Sequence, residues 1–210
     1  MILRLNYVMG NCSCHGSREG ICTTICLVRH GETPWNIEGR LQGQEDVEMN
    51  ETGRLQAKAI ADYLKREKWD IVVSSPLQRA KESAQIISDE LGLGRVNIVS
   101  DLKERSYGSA AGMLPDERRL KFPDGIPDQE AFDDLRERAF DAINSIAEFY
   151  YGHKVIVVSH GGLINSILYT ISDGEFGSYK TRLQNGCINM LKFDDGDWSV
   201  EFYNKLPSDL

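Results

Sequence analysis

Short apolar runs alternate with amphipathic segments along this chain from about residue 23 onward. The runs 25–28, 71–73 and 155–158 are continuously apolar, which is typical of strands covered on both faces of a sheet. Val96 and Ile98 mark a further strand. Between the strands, apolar residues recur at helical spacing, which predicts helices with one buried face. The predicted faces are Ala57, Ile60, Ala61 and Leu64; Leu77, Ala80, Ala84, Ile87 and Leu91; Phe132, Leu135, Ala139, Ile143 and Ile146; and Leu163, Ile164, Ile167 and Leu168.

Polar residues, glycine and proline predict where these elements begin and end. Asn50 is a candidate N-cap for the first helix, after a polar, glycine-containing loop, and Gly92 ends the second helix. In Ser74-Ser75-Pro76, we expect serine to cap the second helix and Pro76 to occupy its first position. The stretch before the third helix is expected to be irregular, because it contains Pro115, Pro123 and Pro127.

The order of these elements predicts the fold. Strand, helix, strand, helix implies a parallel sheet joined by right-handed crossovers, with helices on both faces. Cys187 to Phe193 and Trp198 to Tyr203, around a turn at 194–196, predict a hairpin. We therefore expect one three-layer α/β domain over residues 22–210, with a mainly parallel sheet and a C-terminal antiparallel hairpin. Residues 1–21 lack this pattern and are predicted to be a disordered N-terminal extension.

Composition narrows the class of protein. The 24 basic and 32 acidic residues give a net charge of −8, which argues against nucleic-acid binding, since phosphate backbones require a positive face. No run approaches the roughly 18 apolar residues of a membrane span, so no membrane partner is expected. Five cysteines at irregular spacing do not suggest a secreted disulfide framework. A cytoplasmic protein is the default expectation, and homo-oligomerisation stays open.

Reactive residues follow the predicted strands. Two of the four histidines, His30 and His160, come directly after buried strands, and Arg79 and Glu104 follow two others. The carboxyl ends of parallel strands meet at one edge of a sheet, where ligands bind. Each residue alone has a simple structural interpretation, as a hydrogen-bonded histidine, a solvated arginine or a member of a surface charge cluster. The convergence of all four favours a functional site.

The sequence around these residues resembles the histidine phosphatase superfamily, also called phosphoglycerate mutase-like. Leu27-Val28-Arg29-His30-Gly31-Glu32-Thr33 is similar to the Arg-His-Gly signature of that family. The similarity runs from about Thr23 to the C-terminal hairpin, and several segments in the right order make it specific. The other similar segments are Trp35-Asn36, Gly39-Arg40-Leu41-Gln42-Gly43, Gly53 with Gln56-Ala57, Ser74 to Ala80, Leu102-Lys103-Glu104-Arg105 and Val157-Val158-Ser159-His160-Gly161.

The chemistry of a phosphate ester explains these residue types. Arg29 and Arg79 can each offer a planar fork of donors to phosphoryl oxygens. His30 is the candidate nucleophile, and neighbouring arginines favour its neutral ring. The resemblance implies that His160 helps to hold the transferring group and that the pocket is lined by Asn36, Gln42 and Gly43. No metal or other cofactor is expected, because no cluster has metal-ligand spacing.

Glu104 is the candidate general acid. A carboxyl group beside a bound phosphate dianion tends to keep its proton, since two negative charges repel, and it can then protonate the leaving alkoxide. Acid phosphatases of the superfamily carry Asp directly after the second histidine, where this chain has Gly161. The resemblance therefore assigns the proton donor to Glu104 and places Gly161 beside the substrate.

The resemblance leaves two activities open. Arg105 and Tyr107 match positions that hold phosphoglycerate in cofactor-dependent mutases, which is the alternative function. Only 55 residues separate Glu104 from His160, which is shorter than the substrate-covering insertion typical of those mutases. We therefore expect hydrolysis of small phosphorylated metabolites. A binder without turnover is disfavoured because every reactive residue is present, and the pair Arg118-Arg119 either contacts substrate or forms a solvated helix face.

Overall fold

The computed structural model describes residues 22–210, and the predicted disorder of residues 1–21 lies outside the described residues. Six strands form one sheet in the order β3-β2-β4-β1-β5-β6. The pairs β1–β4, β2–β4 and β2–β3 are parallel, whereas β1–β5 and β5–β6 are antiparallel. The strands are β1 (Thr23–Arg29), β2 (Ile71–Ser74), β3 (Val96–Ile98), β4 (Lys154–Ser159), β5 (Ile188–Asp194) and β6 (Asp197–Lys205).

In the part of the chain that the structure describes, six α-helices connect or follow these strands. They are α1 (Pro34–Glu38), α2 (Glu51–Leu64), α3 (Gln78–Leu91), α4 (Pro115–Lys121), α5 (Phe132–Phe149) and α6 (Gly161–Ile171). The chain runs outward from β1 to β2 and β3, then returns to place β4 between β1 and β2. Because crossovers are right-handed, this reversal puts the helices of the outward and returning paths on opposite faces. The predicted three-layer α/β domain is confirmed.

Alternate residues of each central strand enter two separate cores. In β1, Ile25 and Leu27 pack with α5 and α6, whereas Cys26 and Val28 pack with α2 and α3. All four side chains are fully buried, as expected for a strand covered on both faces. The carboxyl ends of β1, β2, β3 and β4 consequently share one edge of the sheet.

Most of the predicted boundaries are confirmed. The Asn50 side chain accepts a hydrogen bond from the Gly53 amide, as an N-cap does. Gly92 ends α3 in the left-handed conformation with φ of 66°. The final hairpin turns at Asp195 and Gly196, which both have positive φ. Within residues 22–210, no helix is long and apolar enough to cross a membrane.

The predicted start of α3 was wrong. The helix begins at Gln78 after Leu77, so Pro76 lies before the first helical position. Ser75 does not cap the helix with its hydroxyl group, which instead contacts His160 Nε2 at 2.7 Å. Asp46 takes the capping role, because its carboxylate accepts from the Gln78 amide at 2.6 Å. A capping group from a distant loop leaves no signal in the local sequence.

Two segments expected to lack regular structure contain short helices. The loop before Asn50 includes α1, which Thr33 caps through the amide of Asn36. The proline-containing stretch includes α4, whose first residue is Pro115. Proline is compatible with the first turn of a helix, so Pro115 begins α4 instead of preventing it.

Candidate active site

Neighbouring strands place the two predicted histidines side by side. Arg29 at the end of β1 is in register with Ser159 at the end of β4, and the His30 amide donates to the Ser159 carbonyl at 3.0 Å. His30 and His160 therefore follow adjacent strand ends. Their ring centroids lie 5.2 Å apart, with the ring planes tilted by 56°.

His30 is held in one tautomer by its own backbone. Its Nδ1 lies 2.7 Å from the Gly31 carbonyl, which can only accept, so the proton belongs on Nδ1. Its Nε2 consequently carries the lone pair and accepts a hydrogen bond from Arg79 Nε at 3.3 Å. Burial lowers the pKa of His30 well below its ordinary value, and the positive charges of Arg79 and Arg29 lower it further. His30 is therefore a neutral imidazole whose Nε2 lone pair faces Arg79.

Arg79 is almost completely buried, with 1% of its surface exposed. Its Nη1 and Nη2 groups donate to the carbonyls of Glu45 and Gly43, each at 2.7 Å. Burial lowers the pKa of Arg79 to about 10, which leaves it charged at neutral pH. The guanidinium group is thus fixed against Nε2 of His30.

Two buried nitrogens beside His30 have no hydrogen-bond partner among the described residues. They are Nε of Arg29 and Nδ1 of His160. The Ser75 hydroxyl accepts from the Leu77 amide and lies 2.7 Å from His160 Nε2. In the tautomer in which this hydroxyl donates to Nε2, His160 Nδ1 carries the ring proton and has no acceptor. Buried donors without partners are costly, and an anion between the two rings would satisfy them.

Glu104 lies across the N-terminus of α6. Its Oε2 accepts from the Gly162 amide at 2.9 Å, and its Oε1 accepts from the amides of Leu163 and Arg105 at 3.1 and 2.8 Å. The sequence places Glu104 after the outermost parallel strand, and a 3₁₀ turn over Ser100–Leu102 carries it back toward β4. The carboxyl group therefore occupies the end of a helix where negative charge is favoured.

Most of the predicted site residues surround one cavity of about 350 Å³. His160 does not line it but lies fully buried beneath, next to His30. The lining does not include Arg105, whose Nε donates to the Glu130 carbonyl, or Arg118 and Arg119 of α4. The predicted residues that line the cavity are Arg29, His30, Asn36, Gln42, Gly43, Arg79, Glu104, Tyr107 and Gly161.

Local contacts orient two of these lining residues. The Asn36 Oδ1 accepts from the Thr33 amide, the Thr33 hydroxyl and Asn185 Nδ2, so the NH₂ group of Asn36 is the end available to a ligand. Burial raises the pKa of Tyr107, as does the nearby negative charge of Glu104, so its hydroxyl stays protonated. Both side chains can therefore donate to an anion.

Sequence reasoning missed other residues of the cavity. Arg40 lay within a segment similar to the family but was assigned no role. The loop from Thr181 to Leu183 carries no motif and reaches the site only because it precedes β5, the neighbour of β1. Within residues 22–210, no group of three or more His, Cys, Asp and Glu side chains is arranged to hold a metal ion. The missed lining residues are Arg40, Leu41, Gly162, Asn165, Thr181, Arg182 and Leu183.

Comparison with known proteins identifies the family. The histidine phosphatase superfamily (branch 1) matches residues 25–206. An uncharacterised phosphatase, PhoE of Bacillus subtilis, is 41% identical over 87% of this chain and 94% of its own length. A metal-independent phosphoserine phosphatase of Arabidopsis thaliana is 38% identical over 89% and 83%. Other matching proteins bear phosphoglycerate mutase names.

A solved structure agrees with these relatives. A phosphoserine phosphatase variant from Entamoeba histolytica, in complex with phosphoserine, superposes with a TM-score of 0.77 and 28% identity. The superposition covers 90% of this chain and 99% of that one. The structural superposition, the paired histidines of this chain and the match to the family over residues 25–206 lead to one conclusion. This chain belongs to the histidine phosphatase superfamily.

Proposed function

We propose that the protein is a metal-independent phosphatase that hydrolyses small phosphate monoesters through a phosphohistidine at His30. The arrangement of His30 carries this proposal. Its Nδ1 proton is held by Gly31, its Nε2 carries the lone pair and accepts a long hydrogen bond from Arg79 at 3.3 Å, and its lowered pKa keeps the ring neutral. A neutral imidazole fixed at the floor of an anion-binding cavity is the state that attacks phosphorus.

The surrounding charges suit the transition state. A phosphate monoester carries two negative charges, and Arg29 and Arg79 lie close enough to His30 to lower its pKa. The unpartnered Nε of Arg29 can donate to the phosphoryl oxygens, and so can Nδ1 of His160 in the tautomer that carries its proton there. Donors that are fixed before the reaction stabilise developing charge without reorganising. Attack by Nε2 forms the phosphorus–nitrogen bond while the bond to the alkoxide oxygen breaks.

Glu104 supplies the proton that this alkoxide requires. Its Oε1 already accepts two amide hydrogens, whereas Oε2 accepts only one, so Oε2 has room for a proton. After the alcohol leaves, the carboxylate can take a proton from the water that attacks phosphohistidine. The same residue thus acts first as general acid and then as general base.

Hydrolysis is favoured over mutase chemistry. A mutase must exclude water from phosphohistidine, but this chain has only α4 and a short turn between the Glu104 segment and α5. Relatives named as phosphatases support the same choice, at 41% and 38% identity. Phosphoglycerate mutase is the alternative, since other relatives bear that name.

Trapping the intermediate tests the proposal. Rapid mixing with p-nitrophenyl phosphate and mass spectrometry should detect an acid-labile phosphate on the wild-type protein. His30→Ala should remove the label and reduce turnover by at least about 10³-fold, since the nucleophile is lost. His153 is exposed at the opposite end of β4, so His153→Ala is the matched control and should keep both label and turnover.

Several outcomes would contradict the proposal. Label that persists on His30→Ala would place the nucleophile elsewhere. Loss of hydrolysis after prolonged EDTA treatment, with recovery on adding Mg²⁺ or Zn²⁺, would refute metal independence. Interconversion of phosphoglycerates much faster than phosphate release would favour the mutase alternative.

A further inference from the structure

A second cavity adjoins the one that holds His30. It has a volume of about 420 Å³ and shares Arg29, Asn36, Arg40, Arg182 and Leu183 with the first. Its remaining lining residues are Trp35, Gly39, Gln184 and Asn185. A ligand with its phosphoryl group at His30 can therefore extend past Arg29 into this outer cavity.

The arginines that border both cavities differ in their contacts. Arg40 is paired with Glu38 and donates to the Gly112 carbonyl at 2.9 Å, so its charge is already balanced. Arg182 is exposed, and no group among the described residues forms a hydrogen bond or ion pair with its guanidinium. It is nevertheless close enough to Arg29 to lower the pKa of that residue. Arg182 thus contributes a positive charge to the cleft that the protein leaves unbalanced.

The charge of the phosphoryl group alone does not require the positive charge of Arg182. The two negative charges of a phosphoryl group are matched by Arg29 and Arg79 beside His30. Among the described residues, Glu104 is the one acidic residue that lines the cavity holding His30, and it is already bound by amides of α6. A ligand that uses the whole cleft therefore has a place for one more negative charge.

The backbone around Arg182 is held in place by distant side chains. Asn165 Nδ2 donates to the Thr181 carbonyl at 3.0 Å, and Asn204 Nδ2 donates to the Arg182 carbonyl at 3.2 Å. Arg29 Nη1 donates to the Leu183 carbonyl at 2.5 Å. Three elements thus fix this loop at the cavity, which reduces the ordering that binding would otherwise require.

We propose that Arg182 binds a second acidic group, a carboxylate or a phosphate, on the organic part of the substrate. This inference rests on the proposed phosphatase function and names the class of substrate: small phosphate monoesters with an additional negative charge. A guanidinium offers two parallel donors to either kind of group. Arg182 acts on selectivity among esters, whereas Arg29 and Arg79 act on the phosphoryl group that all esters share.

Matched substrates test this role. 3-Phosphoglycerate and glycerol 3-phosphate share a three-carbon chain and differ mainly in a carboxylate that replaces a hydroxymethyl group. The ratio of their kcat/KM values does not depend on the fraction of active protein. Arg182→Gln should lower this ratio about tenfold. Arg119→Gln changes an exposed arginine of α4 outside the cavity and should leave the ratio within about twofold.

Two further measurements test the role of Arg182: the effect of ionic strength and the selectivity between a second pair of esters. Raising the ionic strength from 0.01 to 1 M shortens the Debye length from about 30 Å to about 3 Å, so the wild-type preference should weaken while that of Arg182→Gln changes little. Fructose 1,6-bisphosphate and fructose 6-phosphate form the phosphate pair. If Arg182→Gln lowers the kcat/KM ratio of the first pair, the group that Arg182 binds is a carboxylate. If it lowers the ratio of the second pair, that group is a phosphate. Either result supports the inference.

Other results would overturn the inference. If Arg182→Gln hydrolyses the esters of each pair with unchanged kcat/KM ratios, Arg182 has no role in selectivity. If Arg118→Gln lowers the ratio instead, the second acidic group binds beside α4. Hydrolysis of p-nitrophenyl phosphate but of none of the four esters by the wild-type protein would overturn the inference alone, whereas inactivity on p-nitrophenyl phosphate as well would refute the proposed phosphatase function.

Discussion

The position of the Glu104 carboxyl group depends on Gly162, a neighbouring residue that has no side chain. A Cβ at Gly162 would lie 2.5 Å from Glu104 Oε1 and 3.2 Å from the carboxyl carbon. Gly162 therefore allows the carboxyl group to reach the amides at the start of α6. A methyl group there would push the carboxyl group away without changing its chemistry.

Substitutions at these two positions should give the same kinetic signature. If Glu104 is the general acid, Glu104→Gln removes the acidic proton and should slow hydrolysis of glycerol 3-phosphate by about 10²–10⁴-fold, because its alkoxide is a poor leaving group. p-Nitrophenyl phosphate should be affected far less, since its leaving anion is stable without a proton. Gly162→Ala should show the same dependence on the leaving group with a smaller loss, because the carboxyl group is displaced but present. Comparison of kcat for the two esters is the measurement.

The p-nitrophenyl ester serves as the internal control for both variants. An equal loss on the two esters in Glu104→Gln would mean that Glu104 binds or positions the substrate instead of protonating it. A normal kcat for both esters in Gly162→Ala would mean that the carboxyl position is not critical.

At the level of elements, α5 fixes the segment that carries Glu104. Arg138 of α5 donates to the carbonyls of Asp101 and Lys103 at 2.6 and 3.0 Å. Its Nε and Nη2 also contact the Glu130 carboxylate at 2.9 and 3.0 Å, and the Ser106 amide donates to the same carboxylate. The apolar spacing of α5 predicts its buried face but gives no sign of this interaction, because Arg138 lies beside that face.

Two arginines of α5 provide a matched comparison. Arg138→Gln should lower the free energy of unfolding by about 2 kcal/mol, since it leaves a mostly buried carboxylate and two carbonyls without their donor. Arg136→Gln removes only an exposed pair with Asp133 and should change stability by less than about 0.5 kcal/mol. Urea denaturation of both variants measures the difference. Equal effects would show that the Arg138 contacts contribute nothing beyond a surface ion pair.

For the whole molecule, two buried neutral histidines make stability depend on pH. Burial, followed by the charge of Arg79, lowers the pKa of both His30 and His160 well below the ordinary value near 6.5. As pH falls below 6.5, the unfolded chain takes up protons that the folded chain does not. The stabilisation from the neutral rings is therefore complete above about pH 7 and declines as pH falls.

Denaturation between pH 7.5 and 5 measures this dependence. Each histidine should reduce the free energy of unfolding by at most about 1.4 kcal/mol per pH unit below 6.5. Carboxylates ordinarily titrate near pH 4, so they contribute little in this window. The double variant His30→Gln and His160→Gln should show a flatter slope, whatever its absolute stability. If the free energy of unfolding of the double variant fell with pH as steeply as that of the wild type, this account would be contradicted. His153→Gln is the control and should keep the wild-type slope.

The strands and the four long helices of the fold were predictable from the sequence alone, as were the candidate reactive residues. Side-chain periodicity reports which face of a strand or helix is buried, because each face repeats over a few residues. The run 25–28 therefore predicted a fully covered strand, and the position of His30 after it predicted a site at the strand end. The resemblance to the family rests on local segments of this kind.

Which distant groups meet depends on the way the strands and helices are arranged in space. The return of β4 to a place between β1 and β2 brings the two histidines to 5.2 Å. Asp46 caps α3, and Arg182 reaches the cleft because its loop precedes β5. These contacts are made between residues far apart in the chain, so no local spacing records them. The spacing of apolar residues determines which face of each element is buried. The order in which the elements are connected determines which residues that face and the ends of the element contact.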